Sequence, residues 1–382
     1  MGFDAASRML LSGETLSAGT IEWDQRPASP PPIALTDRDK RLMALLHGAN
    51  FLSASQLVVL GWRSSRAAQM RLKRLHDAAY VDRFRPAYAR GRAEWHYRLT
   101  SQGFSALTRL GVIAEEHSYT PVALTSLSYA EHDLQLAALV LHIAQRAIGE
   151  HDGALLERMP FEWKGPRNGR IDVEWGGGAK PSEALKPRPG TSFHHEGSRR
   201  GYLEPDATLI AGSGDERWAV LIEYDRTERP HKQLDRLRRY DGFLLDGFRC
   251  TGFAAHVRAP TVIYLTARER PLRRLVKEAD KIFSAWRGHE HAGMREGTHP
   301  AREQVLFTSR ERILAGDWTM LQTPGIPPRL RNNPLACRPH EVEYDLPSLL
   351  ADAGCVAAPN HDSRDGAGEV IQAFGERLTW AE

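Results

Sequence analysis

Apolar positions in the first third of the chain are spaced for short helices. Leu42, Leu45 and Leu46 recur at helical spacing behind Thr36 and Asp39, a capping pair, which predicts a helix ending near Gly48. Ser53 and Gln56 form a second capping box ahead of Leu57 and Leu60, and Gly61 stops that helix. A third helix, SRAAQMRLKRLHDAA, is capped by Ser64 or Ser65. Ala68, Leu72 and Leu75 take its core face, and Arg66, Gln69, Arg71, Lys73 and Arg74 stand outward. The period then shortens to two. YVDRFRPAYARGRAEWHYRLT alternates at both ends around a glycine-containing centre, the pattern of a β-hairpin with its tip at residues 89–92. Thr100 caps a closing helix, SQGFSALTRLG.

Beyond a loop, an apolar helix is expected from about Tyr129 to Ile148, with Glu131, His132 and Asp133 at its start. Strand patterns follow in LLERMPFEW, GRIDVEW, EPDATLIA and WAVLIEY. Then come a helix in RPHKQLDRLRRYDGFLL, a buried strand in TVIYLTA and a helix in RPLRRLVKEADKIFSAW. This order predicts a mixed sheet flanked by helices. Breaker-rich stretches separate the blocks: a leader over residues 1–35 ending at Pro27, Pro30, Pro31 and Pro32, an insertion at 176–201, and an irregular tail over 320–382. The expected domains are therefore a disordered leader (1–35), a helical and hairpin domain (36–115), an α/β domain (126–315) with a flexible insertion, and the tail.

Composition narrows the class. With 41% hydrophobic and 26% charged residues among 382, and no run of about 18 apolar residues, neither a membrane span nor a secretory leader is expected, and the cytoplasm is the default location. Three scattered cysteines, Cys250, Cys337 and Cys355, read as ordinary thiols. Net charge is only +3, but residues 61–100 carry ten Arg/Lys against three Asp/Glu. Residues 341–382 carry nine acids against two arginines, as in a solvated end or, alternatively, a DNA mimic. A basic block over three helices and a hairpin reads as a winged helix-turn-helix for double-stranded DNA. Arg66, Gln69, Arg71, Lys73 and Arg74 would face the major groove. Arg85, Arg90 and Arg92 would bring the wing to phosphates or a minor groove, with Trp95 and Tyr97 anchoring it. The competing reading is a solvated basic helix-hairpin used for protein contacts.

The α/β block carries an acidic constellation. Pro205 and Asp206 open one strand, and the next ends in Glu223, Tyr224, Asp225 and Arg226. Acids on neighbouring strands can converge on Mg²⁺ or Mn²⁺ and activate water. The arrangement resembles the PD-(D/E)xK nuclease superfamily, and so a restriction-endonuclease-like sheet in a chain of α/β, more closely α+β, class. That resemblance implies Asp206 and Glu223 as metal ligands, with Glu131 or Asp133 as an extra acid. Where the superfamily has a lysine two positions after the second acid, this chain has Asp225; Arg226 or Lys232 would have to substitute. The catalytic candidates are thus Asp206, Glu223, Asp225, Arg226 and Lys232. Alternatively, Glu223 is ion-paired to Arg226 or Arg236 and only structural. No GxxxxGK[ST] loop is present, which argues against ATP-driven activity. His194 and His195 lack the spacing of a relaxase metal cluster.

LTDRDKRLMALLHGANFLSASQL, SRAAQMRLKRL, YRLTSQGFSAL, EHDL, EPDATL and IEYDRTER, in this order over about residues 35–270, resemble the replication-relaxation family. The resemblance implies a DNA-binding protein of plasmids or mobile elements, linked to plasmid replication and DNA relaxation, in which an acid-x-Asp-Arg strand end is usual. The implied partners are double-stranded DNA, a second copy in a homodimer, and plasmid replication or transfer proteins. Two alternatives stay open: a metal-dependent endonuclease or nickase using Asp206 and Glu223, and a winged-helix transcriptional regulator.

Overall fold

The computed structural model describes residues 21–353 except 63, 87–93, 114–118, 120, 122–126, 150–154, 167, 175–199, 227–229, 246, 257, 286–299 and 324–338. The chain is α+β and divides into two compact units, Met1–Asn168 with Pro347–Glu382, and Gly169–Leu346. Among the described residues no helix is long and apolar enough to cross a membrane.

The first unit holds β1 (Ile21–Trp23), α1 (Asp37–Ala49), β2 (Leu52–Ser53), α2 (Ala54–Val59), α3 (Ser65–Asp77), β3 (Val81–Pro86), β4 (His96–Leu99), α4 (Ser101–Arg109), α5 (Leu127–Ile148) and β5 (Glu162–Lys164). Local hydrogen bonds place the helix starts. Thr36 with Asp39 and Ser53 with Gln56 are reciprocal capping boxes, Ser64 Oγ accepts from the Ala67 amide at 3.2 Å, and Thr100 Oγ1 from the Gly103 amide at 3.0 Å. The apolar faces then meet in a core of Leu42, Leu46, Leu57, Leu72, Leu75, Val81 and Leu107, all fully buried. Beside them β1, β3, β4 and β2 form an antiparallel sheet in that order. Gly103 lets α4 approach the hairpin, because a Cβ there would lie 2.2 Å from the Tyr80 carbonyl oxygen.

Helix α5, assigned from sequence to the second block, packs in the first unit. Gln56 Nε2 donates to the Leu134 carbonyl at 2.9 Å, and Asn50 Nδ2 to Asp133 Oδ2 at 3.0 Å. Periodicity shows that a helix is amphipathic, not which block covers its apolar face. Strand β1 likewise falls in the stretch read as a leader.

The second unit holds a two-stranded antiparallel ribbon, β6 (Ile171–Glu174) with β7 (Arg200–Leu203), and a mixed sheet. Its sheet elements are β8 (Ala207–Ala211), β9 (Trp218–Asp225), β10 (Thr261–Thr266), β11 (Val305–Ser309), β12 (Thr319–Gln322) and β13 (His340–Glu343), ordered β13-β12-β11-β10-β9-β8. Strands β9, β10 and β11 are parallel and buried along their whole length, as continuous apolar runs such as WAVLIEY require. Between them run α6 (Pro230–Leu245) and α7 (Glu269–Ala285), whose Leu237, Tyr240, Phe243, Leu272, Val276 and Phe283 pack with Leu221, Tyr264 and Phe307 of one sheet face. Short helices α8 (Pro300–Gln304) and α9 (Arg310–Ala315) flank β11. Strand β13 and a helix at Leu346–Asp352 lie in the stretch read as an irregular tail. The proposed insertion lies outside the described residues except for its last two, which begin β7.

Candidate nucleic-acid interface and buried carboxylate cluster

Helix α3 is anchored by Ala68, Leu72 and Leu75, each fully buried. That anchoring turns Arg66, Gln69, Met70, Lys73 and Arg74 to the surface; Met70 is 53% exposed. Arg66 and Arg74 make no ion pair among the described residues. Lys73 pairs with Asp77 one turn on at 2.7 Å, and Gln69 Nε2 reaches Ser65 Oγ at 3.4 Å. These contacts are local and exposed, so an incoming phosphate or base edge can displace them at small cost.

Arg71 departs from its expected outward place. Its Nε donates to Asp39 Oδ1 at 2.9 Å, and its Nη2 to Asp39 Oδ2 and, at 2.8 Å, to the Ala34 carbonyl. It is a strut from α3 to the start of α1. Burial pushes the Asp39 carboxyl up, but hydrogen bonds from Arg71 and Thr36 outweigh it and hold the group below 3.8. The long arginine stem lets a residue at the helix boundary reach inward, which a helical projection does not reveal.

Arg85 is also engaged. Its Nε and Nη2 donate to the Glu22 carboxylate at 2.9 and 2.7 Å, and its guanidinium lies 4.6 Å over Trp95. Arg83 covers the same ring, also at 4.6 Å, and Tyr97 is fully buried. Arg90 and Arg92 lie outside the described residues.

The acids of the second unit meet through strand register. Ala207 pairs with Ile222 in the antiparallel β8–β9 ladder, which sets Asp206 opposite Glu223. Glu223 pairs with Tyr264 of β10, and Tyr264 with Phe307 of β11. Lateral neighbours share a face, so Asp206, Glu223, Tyr264 and Phe307 form one row beneath α6. Arg236 Nη1 contacts Glu223 Oε2 and lies 3.5 Å from Asp206 Oδ2; Tyr240 donates its hydroxyl to Glu223 Oε1 at 2.7 Å. The Tyr224 amide donates to Asp206 Oδ2 at 2.8 Å. Burial, then the facing Asp206 carboxylate, pushes Glu223 up to about 8 against the pull of Arg236 and Tyr240. Burial also raises Tyr264, whose hydroxyl has no hydrogen-bond partner among the described residues.

A divalent cation does not fit this arrangement. It would have to displace Arg236 and Tyr240 from the two Glu223 oxygens, and Arg236 already places a positive charge beside Asp206. Among the described residues no group of three or more His, Cys, Asp or Glu side chains is placed to hold a metal. Asp225 shares the Glu223 face, two residues along, in register with Thr266 of β10. Arg226 follows at the half-buried strand end, and the Lys232 side chain lies outside the described residues. Glu131 and Asp133 sit on α5 in the first unit, where Gln135 donates to Glu131 at 3.2 Å. Of the cluster, Tyr240 and Tyr264 were not singled out from sequence. Arg236 and Tyr240 stand four apart on one helix face, which was a usable signal; the place of Tyr264 follows only from register.

A model of the family described as replication-relaxation matches residues 43–257, more than half of the chain. No curated protein and no solved structure gives a significant match.

Proposed function

Because the chain belongs to the replication-relaxation family, we propose that it is a DNA-binding protein acting in the replication and relaxation of plasmid or other mobile-element DNA. The first unit acts as a winged helix-turn-helix, with α3 entering the major groove and the β3–β4 hairpin as its wing. The observation that carries this reading is the outward face of α3, where Arg66 and Arg74 flank Gln69, Met70 and Lys73 above a buried apolar stripe. A groove about 12 Å wide admits such a helix, and the cations neutralise phosphates with release of counterions.

Gel-shift titration against mixed duplex DNA over a salt series tests the proposal. Arg66→Ala combined with Arg74→Ala should weaken binding and flatten the log–log salt slope by about 2. Unchanged affinity and slope would overturn it. Mapping bound sites in cells separates the roles: occupancy of a replication origin supports the proposal, and dispersed occupancy of promoters supports a transcriptional regulator instead. Hydrolysis is not part of the proposal, because the Asp206–Glu223 pair is held by Arg236.

A further inference from the structure

Strand β1 is an edge strand added to the wing, and its alternation gives it two unlike faces. Ile21 packs against the cluster of Phe51, Phe84, Ala130 and Leu134, and the Trp23 ring lies 5.2 Å from that of Phe84. The opposite face carries Glu22 and Asp24. Register sets Glu22 opposite Arg85, and the Asp24 amide bonds to the Arg83 carbonyl at 3.2 Å. Both acids are engaged: Arg85 binds Glu22 through two nitrogens at 2.7 and 2.9 Å, and Arg83 Nε donates to Asp24 Oδ2 at 2.6 Å. An acid-x-acid strand thus lies along an Arg-x-Arg strand, with Trp95 stacked beneath both guanidinium groups.

We propose that the Arg83–Trp95–Arg85 row is a second DNA-phosphate surface of this protein, and that β1 covers it, with Glu22 and Asp24 standing where phosphates bind. This rests on the DNA-binding reading of the first unit. The chemistry is matched: a guanidinium held flat on an aromatic ring presents a planar fork that accepts either a carboxylate or a phosphate. The cover is a three-residue strand whose outer pair is the weaker: the Glu22 side chain is 48% exposed, so its ion pair contributes little in water, while Asp24 is 29% exposed and its partner Arg83 13%. A duplex arriving on α3 brings phosphates at high local concentration beside the wing, and these compete with two single carboxylates. Binding and release of β1 are then linked.

The test uses the full chain. Glu22→Gln with Asp24→Asn keeps the strand's shape and removes its charge. This variant should bind mixed duplex DNA about 3–10-fold more tightly at low salt, with a salt slope steeper by up to about 2. Adding Arg83→Ala and Arg85→Ala should abolish the gain. Hydrogen exchange on the wild-type protein is independent of any variant's folding: residues 21–26 should lose protection when DNA is added. Wild-type affinity in the charge-removed variant, or unchanged protection of residues 21–26 in a bound complex, would overturn the inference and leave the α3 reading standing. Absence of DNA binding by every form would overturn both.

Discussion

Replacing Glu223 with glutamine should remove one of two large contributions to the pH dependence of the second unit's stability between about pH 5 and 8, the other being Asp241, which burial raises from 3.8 to about 8. Glu223 is 2% exposed, and burial together with the Asp206 carboxylate raises its folded-state value from 4.5 to about 8. Between those values the folded chain keeps a proton that the unfolded chain releases. The stabilising contribution of this group is therefore fully present below pH 4.5 and is lost as pH rises toward about 8. At about 1.4 kcal/mol per pH unit the full shift corresponds to about 5 kcal/mol. Solvent reaches the cluster past Arg236, whose side chain is 39% exposed, and about 2–3 kcal/mol is the expected change. Glutamine keeps the shape, can still accept from Tyr240, and does not ionise. Urea unfolding of both proteins at several pH values measures the difference, with hydrogen exchange over β9 and β10 identifying the transition of this unit. The variant should match the wild type near pH 5 and exceed it at pH 8. A stability difference that stays constant across the window would refute the reasoning: Glu223 would be ionised throughout, with the Arg236 contact outweighing burial.

Asp39→Asn should destabilise the first unit by about 1–3 kcal/mol at neutral pH, since Asp39 accepts charge-assisted bonds from Arg71. Because that carboxyl is held below 3.8, its contribution is present at higher pH and is lost as pH falls through the folded value. The gap to wild type in acid-range melts should therefore close. His96, lowered from 6.5 to about 4 by burial, stays neutral in the folded chain while the unfolded chain takes up a proton, so it costs stability as pH falls through that window; His96→Gln should flatten this acid loss, and an unchanged profile would count against it. Gly103→Ala should lower the thermal midpoint, with a cost of about 1–3 kcal/mol from the collision with the Tyr80 carbonyl; a wild-type midpoint would refute the close approach.

Much of the first unit was legible because the signals are local. Thr36–Asp39 and Ser53–Gln56 mark helix starts through bonds closed within three residues, and Ala68, Leu72 and Leu75 set the buried stripe of α3 through the helical period alone. The change to a two-residue period located β3 and β4 for the same reason. The sequence also exposed the acids at 206 and 223 as chemistry to be explained, and the order of its motifs pointed to the family.

Tertiary structure decided what those residues do. Arg71 and Arg74 are both basic residues of one helix, yet the first braces α1 through Asp39 and the second stays at the surface, a difference set by a partner 32 positions away. Glu22 and Asp24 looked like part of a polar leader until β1 paired with β3 and set them against Arg85 and Arg83. Asp206 and Glu223 read from sequence as candidate metal ligands, and register and α6 set Arg236 beside both and Tyr240 on Glu223. Caps and periods arise from neighbours along the chain, so sequence alone determines them. The counter-charge of a buried or paired group arises from whatever packs against it, and only the assembled fold specifies that neighbour.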